Sequence, residues 1–258
     1  MTVQVLVIGI GSGNLDHLTR EAINALNRVD VFIVADKGEA KHDLVELRAE
    51  ICRTFIEHDH YRIVEVTDPP RGPDRERDAA AYGSAVASWH EARAQRYATT
   101  ITDEVGSGGT IGFLVWGDPA FYDSTIRIVE SVAAAGVDLE LTVIPGISSI
   151  QLLAARHKIV LNRIGRPIHL TTGRRLVAEY SPELGDVVVM LDGDLSCARL
   201  LPEFGDLQIY WGAQLGLADE ALVAGRLADV LDLISSTRAA IRAARGWVMD
   251  TYLLRPPD

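Results

Sequence analysis

Residues 111–125 read IGFLVWGDPAFYDST. The first six are apolar, a pattern that suits a strand buried on both faces of a parallel sheet. Gly117, Asp118 and Pro119 stop the run, because glycine frees the backbone and proline brings no amide to a ladder. Tyr122, Asp123, Ser124 and Thr125 follow at once, more polar chemistry than a turn requires. Residues 124–135 then carry helical apolar spacing, closed by Gly136. Strand, tight loop and helix make one βα unit. In open α/β sheets ligands bind beyond the carboxyl ends of the strands, which places this loop on a binding rim.

Outward from that unit the rhythm repeats. VQVLVIG (3–9) reads as a buried strand, followed by GSGN and by Leu15, Leu18, Ala22, Ile23 and Leu26 at helical spacing. VDVFIVAD (29–36) is a second strand, with a helix from about Asp43. YRIVEV (61–66) is a third strand, and residues 78–104 are a long helix. LELTVIPG (139–146) is the fifth strand, leading into the helix ISSIQLLAARHKI with serine near its N-cap. Residues 67–78, TDPPRGPDRERD, read as a charged, proline-rich surface loop or lid carrying Arg71, Arg75 and Arg77. In the second half RPIHLTTG, DVVVMLDG, LQIYWGAQ and WVMDTYLLR read as strands, and residues 224–244 as a helix. The expected fold is α/β with two α/β domains. Residues 1–162 build a five-stranded, mainly parallel sheet, and residues 163–258 a smaller mixed sheet.

Composition narrows the function. The 258 residues carry 48% hydrophobic and 24% charged side chains, an ordinary soluble profile. The longest apolar runs fall far short of the roughly 20 residues a bilayer span needs, so no membrane role is expected. The opening MTVQVLVIG shows neither a basic region nor a small-residue cleavage site, so no signal peptide is expected. Cys52 and Cys197 are too few and too far apart for a disulfide framework or a zinc site, so a reducing cytoplasm is the expected location. The net charge of −11 argues against nucleic acid. One window departs from that balance. Residues 141–178 hold no Asp or Glu, but do hold Arg156, Lys158, Arg163, Arg166, Arg174, Arg175, His157 and His169. The window reads either as a site for an anion or as charges that pair with the acidic remainder.

Three small-residue loops fall on the same predicted rim: GIGSGN (9–14), WGDPAFYDST (116–125) and PGISS (145–149). The first is close to a dinucleotide fingerprint, with Asp36 placed to hold a ribose. However, Asn14 stands where the third glycine belongs. A nicotinamide oxidoreductase is therefore an alternative. Rim groups suited to proton transfer are Asp16, His17, Lys41, His42, Asp118, Tyr122 and Asp123. His58 and His60 lack a third metal ligand nearby, so no metal is expected. TTGRR (171–175) offers an arginine pair suited to carboxylates or to ion pairing.

In order and spacing, GIGSGNLDHLT, WGDP and IPGISS resemble the tetrapyrrole methylase family along nearly the whole chain. The resemblance implies two α/β domains with a cleft between them and S-adenosylmethionine as methyl donor. It implies donor contacts at Ile10, Trp116, Gly117, Asp118, Phe121, Ser148, Ser149, Met190 and Gly212. The GSGN loop departs from the family's usual Gly-Pro-Gly-Asp, leaving Asn14 where an acid is common. The forms VADKGEAKHDL, VWGDPAFYDST, TTGRR, VVMLDG and WVMDTYLL resemble one branch of the family. That branch implies C-methylation of a precorrin, an anionic tetrapyrrole, with loss of an acetyl group as acetate. On this reading Tyr122, Asp123, Asp16 and His17 are the candidates for water activation. Arg163, Arg166, Arg174 and Arg175 become candidates for substrate carboxylates, at least two of them facing the cleft. A homodimer is implied by the family alone.

Overall fold

The computed structural model describes residues 2–36, 42–69, 79–106 and 108–257. Lys41 and most of the 67–78 lid candidate lie outside the described residues, as do the side chains of Asp36 and His42. The chain forms two compact units, residues 1–11 with 15–147 and residues 12–14 with 148–258.

In the first unit the strands are β1 (Val3–Gly9), β2 (Val31–Asp36), β3 (Arg62–Thr67), β4 (Thr110–Val115) and β5 (Leu139–Ile144). They form an all-parallel sheet in the order β3-β2-β4-β1-β5. The helices are α1 (Arg20–Leu26), α2 (His42–Phe55), α3 (Ala79–Val105) and α4 (Thr125–Ala134). The period-2 alternation of a strand divides the core into two layers. Val3, Val5 and Val7 pack with Phe113, Tyr97, Ile101, Ile128 and Val132 on the α3 and α4 side. Leu6 and Ile8 pack with Leu26, Ile51, Cys52 and Leu114 on the α1 and α2 side. Since β1 and β4 are neighbours in register, Gly9 opposite Val115, the loops leaving them emerge side by side. The apolar spacing from Leu15 is not one continuous helix. Residues 15–17 form a 3-10 turn, and Thr19 then caps α1 by accepting from the Ala22 amide at 3.0 Å.

The second unit contains α5 (Ser149–His157), β6 (Ile168–Thr172), α6 (Gly173–Glu179), β7 (Asp186–Met190), α7 (Leu201–Phe204), β8 (Gln208–Ala213), β9 (Ala221–Arg226), α8 (Leu227–Arg245) and β10 (Asp250–Arg255). Its mixed sheet runs β6-β7-β10-β8-β9, with only β6 and β7 parallel. Trp211 and Tyr252 are fully buried among Val187, Val189, Ile209 and Leu254. The sequence boundary at 162/163 placed α5 with the first half, whereas α5 packs against β8, β9 and β10 of the second unit. Two expectations are corrected. Residues 224–226 belong to edge strand β9, which pairs antiparallel with β8, so the helix begins only at Leu227. The strand read over RPIHLTTG is shorter, Ile168–Thr172, because Gly173 starts α6.

Candidate functional site

At the carboxyl edge of the first sheet three backbones meet with no side chain between them. A β-carbon on Gly9 would stand 2.6 Å from the Gly146 nitrogen, and one on Gly146 would stand 2.1 Å from the Gly117 oxygen. Only glycine permits this approach. Gly11 and Gly117 form an isolated bridge: Gly117 N donates to Gly11 O at 2.7 Å, and Gly11 N donates to Gly117 O at 3.2 Å. Both bridge residues have positive φ, 71° and 69°, which glycine adopts without strain. Ile10 is buried between them, and its amide donates to Val115 O at 2.9 Å. His17 packs over the bridge, since a β-carbon on Gly11 would lie 3.1 Å from the His17 Cβ.

Asp118 ties two loops together. Its Oδ2 accepts from the Gly146 amide and its Oδ1 from the Ala120 amide, both at 2.8 Å. With each oxygen accepting from a backbone amide, Asp118 ties its own loop to the loop after β5. Asp123 makes a comparable local turn, with Oδ1 accepting from the Thr125 amide at 2.7 Å, at the start of α4. Between the two aspartates Tyr122 is held at φ 53° and is 44% exposed. A bulky residue in that region costs about 1–3 kcal/mol and is concentrated at functional sites. Trp116 and Phe121 are half-buried beside it, and Asp16 is exposed.

Beneath this loop lies a charged cluster that the sequence did not reveal. Arg48 of α2 donates from Nε to the Leu114 carbonyl at 3.1 Å, just before the loop. Burial pushes its guanidinium below the ordinary arginine range, while Asp123 and Tyr97 pull it back up. On α3, Arg93 stacks over Trp89 at 4.8 Å and Tyr97 at 5.3 Å and pairs with Asp68 at 2.8 Å. Burial raises the Tyr97 hydroxyl pKa against the pull of Arg93. The i, i+4 spacing of Trp89, Arg93 and Tyr97 on α3 was the one sequence signal for this stack.

In the second unit, Ser148 is buried and opens α5; its amide donates to Gln151 Oε1 at 2.8 Å. Ser149 is the first residue of that helix. Met190 ends β7. Gly212 admits Leu153 and Leu215, whose methyls a β-carbon would meet at 3.0 and 2.9 Å. Ser12 Oγ and Gln214 Nε2 are buried with no hydrogen-bond partner among the described residues. A polar ligand suits such atoms, because burying them unsatisfied is costly.

Much of the basic window pairs with acids. Arg156 bonds Glu220 at 2.7 Å, Arg175 bonds Glu179, and Arg163 lies 4.0 Å from Asp186 and donates to the Pro256 carbonyl. Arg166 and Arg174 are exposed. The His58 and His60 rings stack at 4.1 Å, which faces the rings together instead of converging their nitrogens. Among the described residues no group of three or more His, Cys, Asp or Glu is placed to hold a metal, and no helix is long and apolar enough to cross a membrane.

Comparison with known proteins adds relatives to this geometry. The family profile described as Tetrapyrrole (Corrin/Porphyrin) Methylases matches residues 4–231. A curated precorrin-6A synthase (deacetylating) from Sinorhizobium sp. is 47% identical over 253 residues, spanning 98% of this chain and 95% of its own. A crystal structure of a putative cobalamin synthesis related protein (CobF) from Corynebacterium diphtheriae superposes with a TM-score of 0.84 at 35% identity, covering both chains fully. The uroporphyrin-III C-methyltransferase of Thermus thermophilus, solved with S-adenosylhomocysteine, shares the fold at a TM-score of 0.60 and 15% identity, over 98% of this chain and 92% of its own.

Proposed function

The chain belongs to the tetrapyrrole methylase family, and from that premise we propose that it is an S-adenosylmethionine-dependent C-methyltransferase of cobalamin biosynthesis. Its reaction would be methylation of precorrin-5 at C1 with loss of the acetyl group as acetate, giving precorrin-6A. The observation that carries this reading is the 47% identity to the Sinorhizobium enzyme across nearly the whole chain. The rim supports it. The glycine contacts at Gly9, Gly117 and Gly146 and the Asp118 strut offer a fixed, backbone-lined surface, and S-adenosylmethionine would bring an electrophilic methyl to it. Ile10, Trp116, Gly117, Asp118, Phe121, Ser148, Ser149, Met190 and Gly212 are the proposed donor contacts. Methyl transfer needs alignment more than acid or base, and positioning alone accounts for about 7–11 kcal/mol of barrier.

Acetate release needs more. Water forms a bond to the acetyl carbonyl carbon and gives up a proton. The bond from that carbon to C1 then breaks, and its electron pair stays on the macrocycle, ready to take the methyl. We assign the proton to Asp123, whose Oδ2 accepts no hydrogen bond from a described residue, and the oxyanion to the half-exposed Tyr122 hydroxyl. Asp16 and His17 stand beside the first loop as second candidates for the same proton. Arg163, Arg166, Arg174 and Arg175 are the proposed contacts for substrate carboxylates, and the exposure of Arg166 and Arg174 supports that role for them.

The exposed apolar residues Val160 and Ile164, leading into edge strand β6, and Ile168 at its start support a homodimer. Two buried, unbridged cysteines support a cytoplasmic location. Calorimetry tests the donor assignment: S-adenosylhomocysteine binds and NADPH does not. Binding of NADPH alone would overturn it in favour of an oxidoreductase.

A further inference from the structure

The first sheet parts at its carboxyl edge. β2 pairs with β4 only at Val31–Ile111 and Phe32–Gly112, although β2 stays paired with β3 as far as Asp36–Thr67. In the strand order β3-β2-β4-β1-β5, the chain leaves β2 toward β3 and leaves β4 toward β5, on the opposite side. Loops that diverge in this way mark the switch point of an open α/β sheet, where a crevice forms. The carbonyls of β4 alternate in direction along the strand. Val115 O accepts from Ile10 N on the β1 side, so Leu114 O faces the crevice on the β2 side. Where a β2 amide would have donated, Arg48 Nε does so, at 3.1 Å.

Arg48 is an unusual residue for that place. It is half-buried, and Ile51 and Cys52, one turn on and so on the same face of α2, lie in the apolar core. One carbonyl needs one donor, which a neutral amide supplies, whereas taking a cation out of water costs more than a hydrogen bond returns. The charge therefore calls for an acid. Burial pushes the guanidinium below the ordinary arginine range, and the strongest pull back up comes from Asp123. Arg93, the neighbouring cation on α3, is held by Asp68 at 2.8 Å. Asp123 belongs to the loop that leaves β4 just after Leu114, and its Oδ1 accepts from the Thr125 amide. Arg48 thus engages one loop twice, by a bond to the carbonyl at its root and by attraction to the carboxylate at its far end.

Resting on the assignment of the acetate-releasing proton to Asp123, we propose that Arg48 is a positioning residue for that step, its cation fixed in the β2–β4 crevice to hold the Asp123 carboxylate in place. Water gives its proton to Asp123 as its oxygen bonds to the acetyl carbon, and a carboxylate held by a fixed charge meets that geometry without reorganising. Arg48→Gln separates the charge from the bond. Glutamine Nε2, like arginine Nε, is attached to Cδ, so the Leu114 contact is kept while the cation is lost; Arg48→Lys restores the cation. Each is made in the full chain, alone and with Asp123→Asn, and acetate release from precorrin-5 at saturating donor is measured beside S-adenosylhomocysteine calorimetry and melting temperature. Arg48→Gln is expected to lower kcat for acetate release by at least about tenfold, the scale set by one partly screened charge, with donor affinity within about twofold of wild type. Arg48→Lys is expected to recover most of that loss, and in the Asp123→Asn background Arg48→Gln costs nothing further. Arg48→Met, which fills the same space without a charge, replaces Arg48→Gln if that variant folds poorly. Wild-type acetate release in Arg48→Gln, no recovery in Arg48→Lys, or a further loss in the Asp123→Asn background would overturn this inference alone. Full acetate release by Asp123→Asn would overturn the Asp123 assignment and this inference with it.

Discussion

Gly146 faces the carbonyl oxygen of Gly117 so closely that a β-carbon on it would stand 2.1 Å away. Two loops separated by a strand and a helix thus touch through backbone alone. Gly146→Ala forces them apart and costs about 1–3 kcal/mol by overpacking. The expected result is a lower melting temperature together with weaker S-adenosylhomocysteine binding, read by calorimetry on the folded fraction.

Asp118 is expected to behave as a strut. Asp118→Ala leaves the Gly146 and Ala120 amides without acceptors, a loss of roughly 1–3 kcal/mol for each amide that stays buried. Donor affinity falls accordingly, while acetate release at saturating donor and substrate falls much less. A collapse of that saturated rate with donor affinity intact would instead make Asp118 a proton carrier.

Asp123 is expected to show the opposite split. Asp123→Asn keeps an acceptor for the Thr125 amide, so the turn survives. Loss of a general base typically costs about 10²–10⁴-fold. Acetate release should drop on that scale, with S-adenosylhomocysteine binding within about twofold of wild type. Full acetate release by this variant would remove Asp123 from the chemistry.

The cysteines give a pH prediction. Burial pushes the thiols of Cys52 and Cys197 up to about 12. A folded pKa raised above the unfolded value contributes stability that is complete below the unfolded pKa, near 9. That stability is lost as pH rises toward about 12. Melting temperature should therefore decline above pH 9. A thiol reagent at pH 8 should label both cysteines in denaturant and neither in the native chain.

The parts of this molecule legible in its sequence are those fixed by local chemistry. The glycines at 9, 117 and 146 and Asp118 sit at strand ends, and Asp123 sits at the start of α4, where turn geometry names the residue type. The buried strands β1, β2 and β4 announce themselves by apolar runs. Strand β9 did not, because ALVAGR runs into α8 and only pairing with β8 makes it extended. The arginine window misled in part, since Glu220, Asp186 and Glu179 lie outside it and reach its charges only in the folded chain. The contacts of Arg48 and Arg93 are likewise products of the folded chain. Nothing in ELRAE predicts that Arg48 reaches the Leu114 carbonyl 66 residues on.

The most direct test of the central claim is a single incubation of the chain with precorrin-5 and methyl-labelled S-adenosylmethionine, with product and acetate measured together. One labelled methyl in the macrocycle and one acetate for each turnover is the predicted result. Methyl transfer without acetate, or no transfer to this substrate while the donor binds, would contradict it.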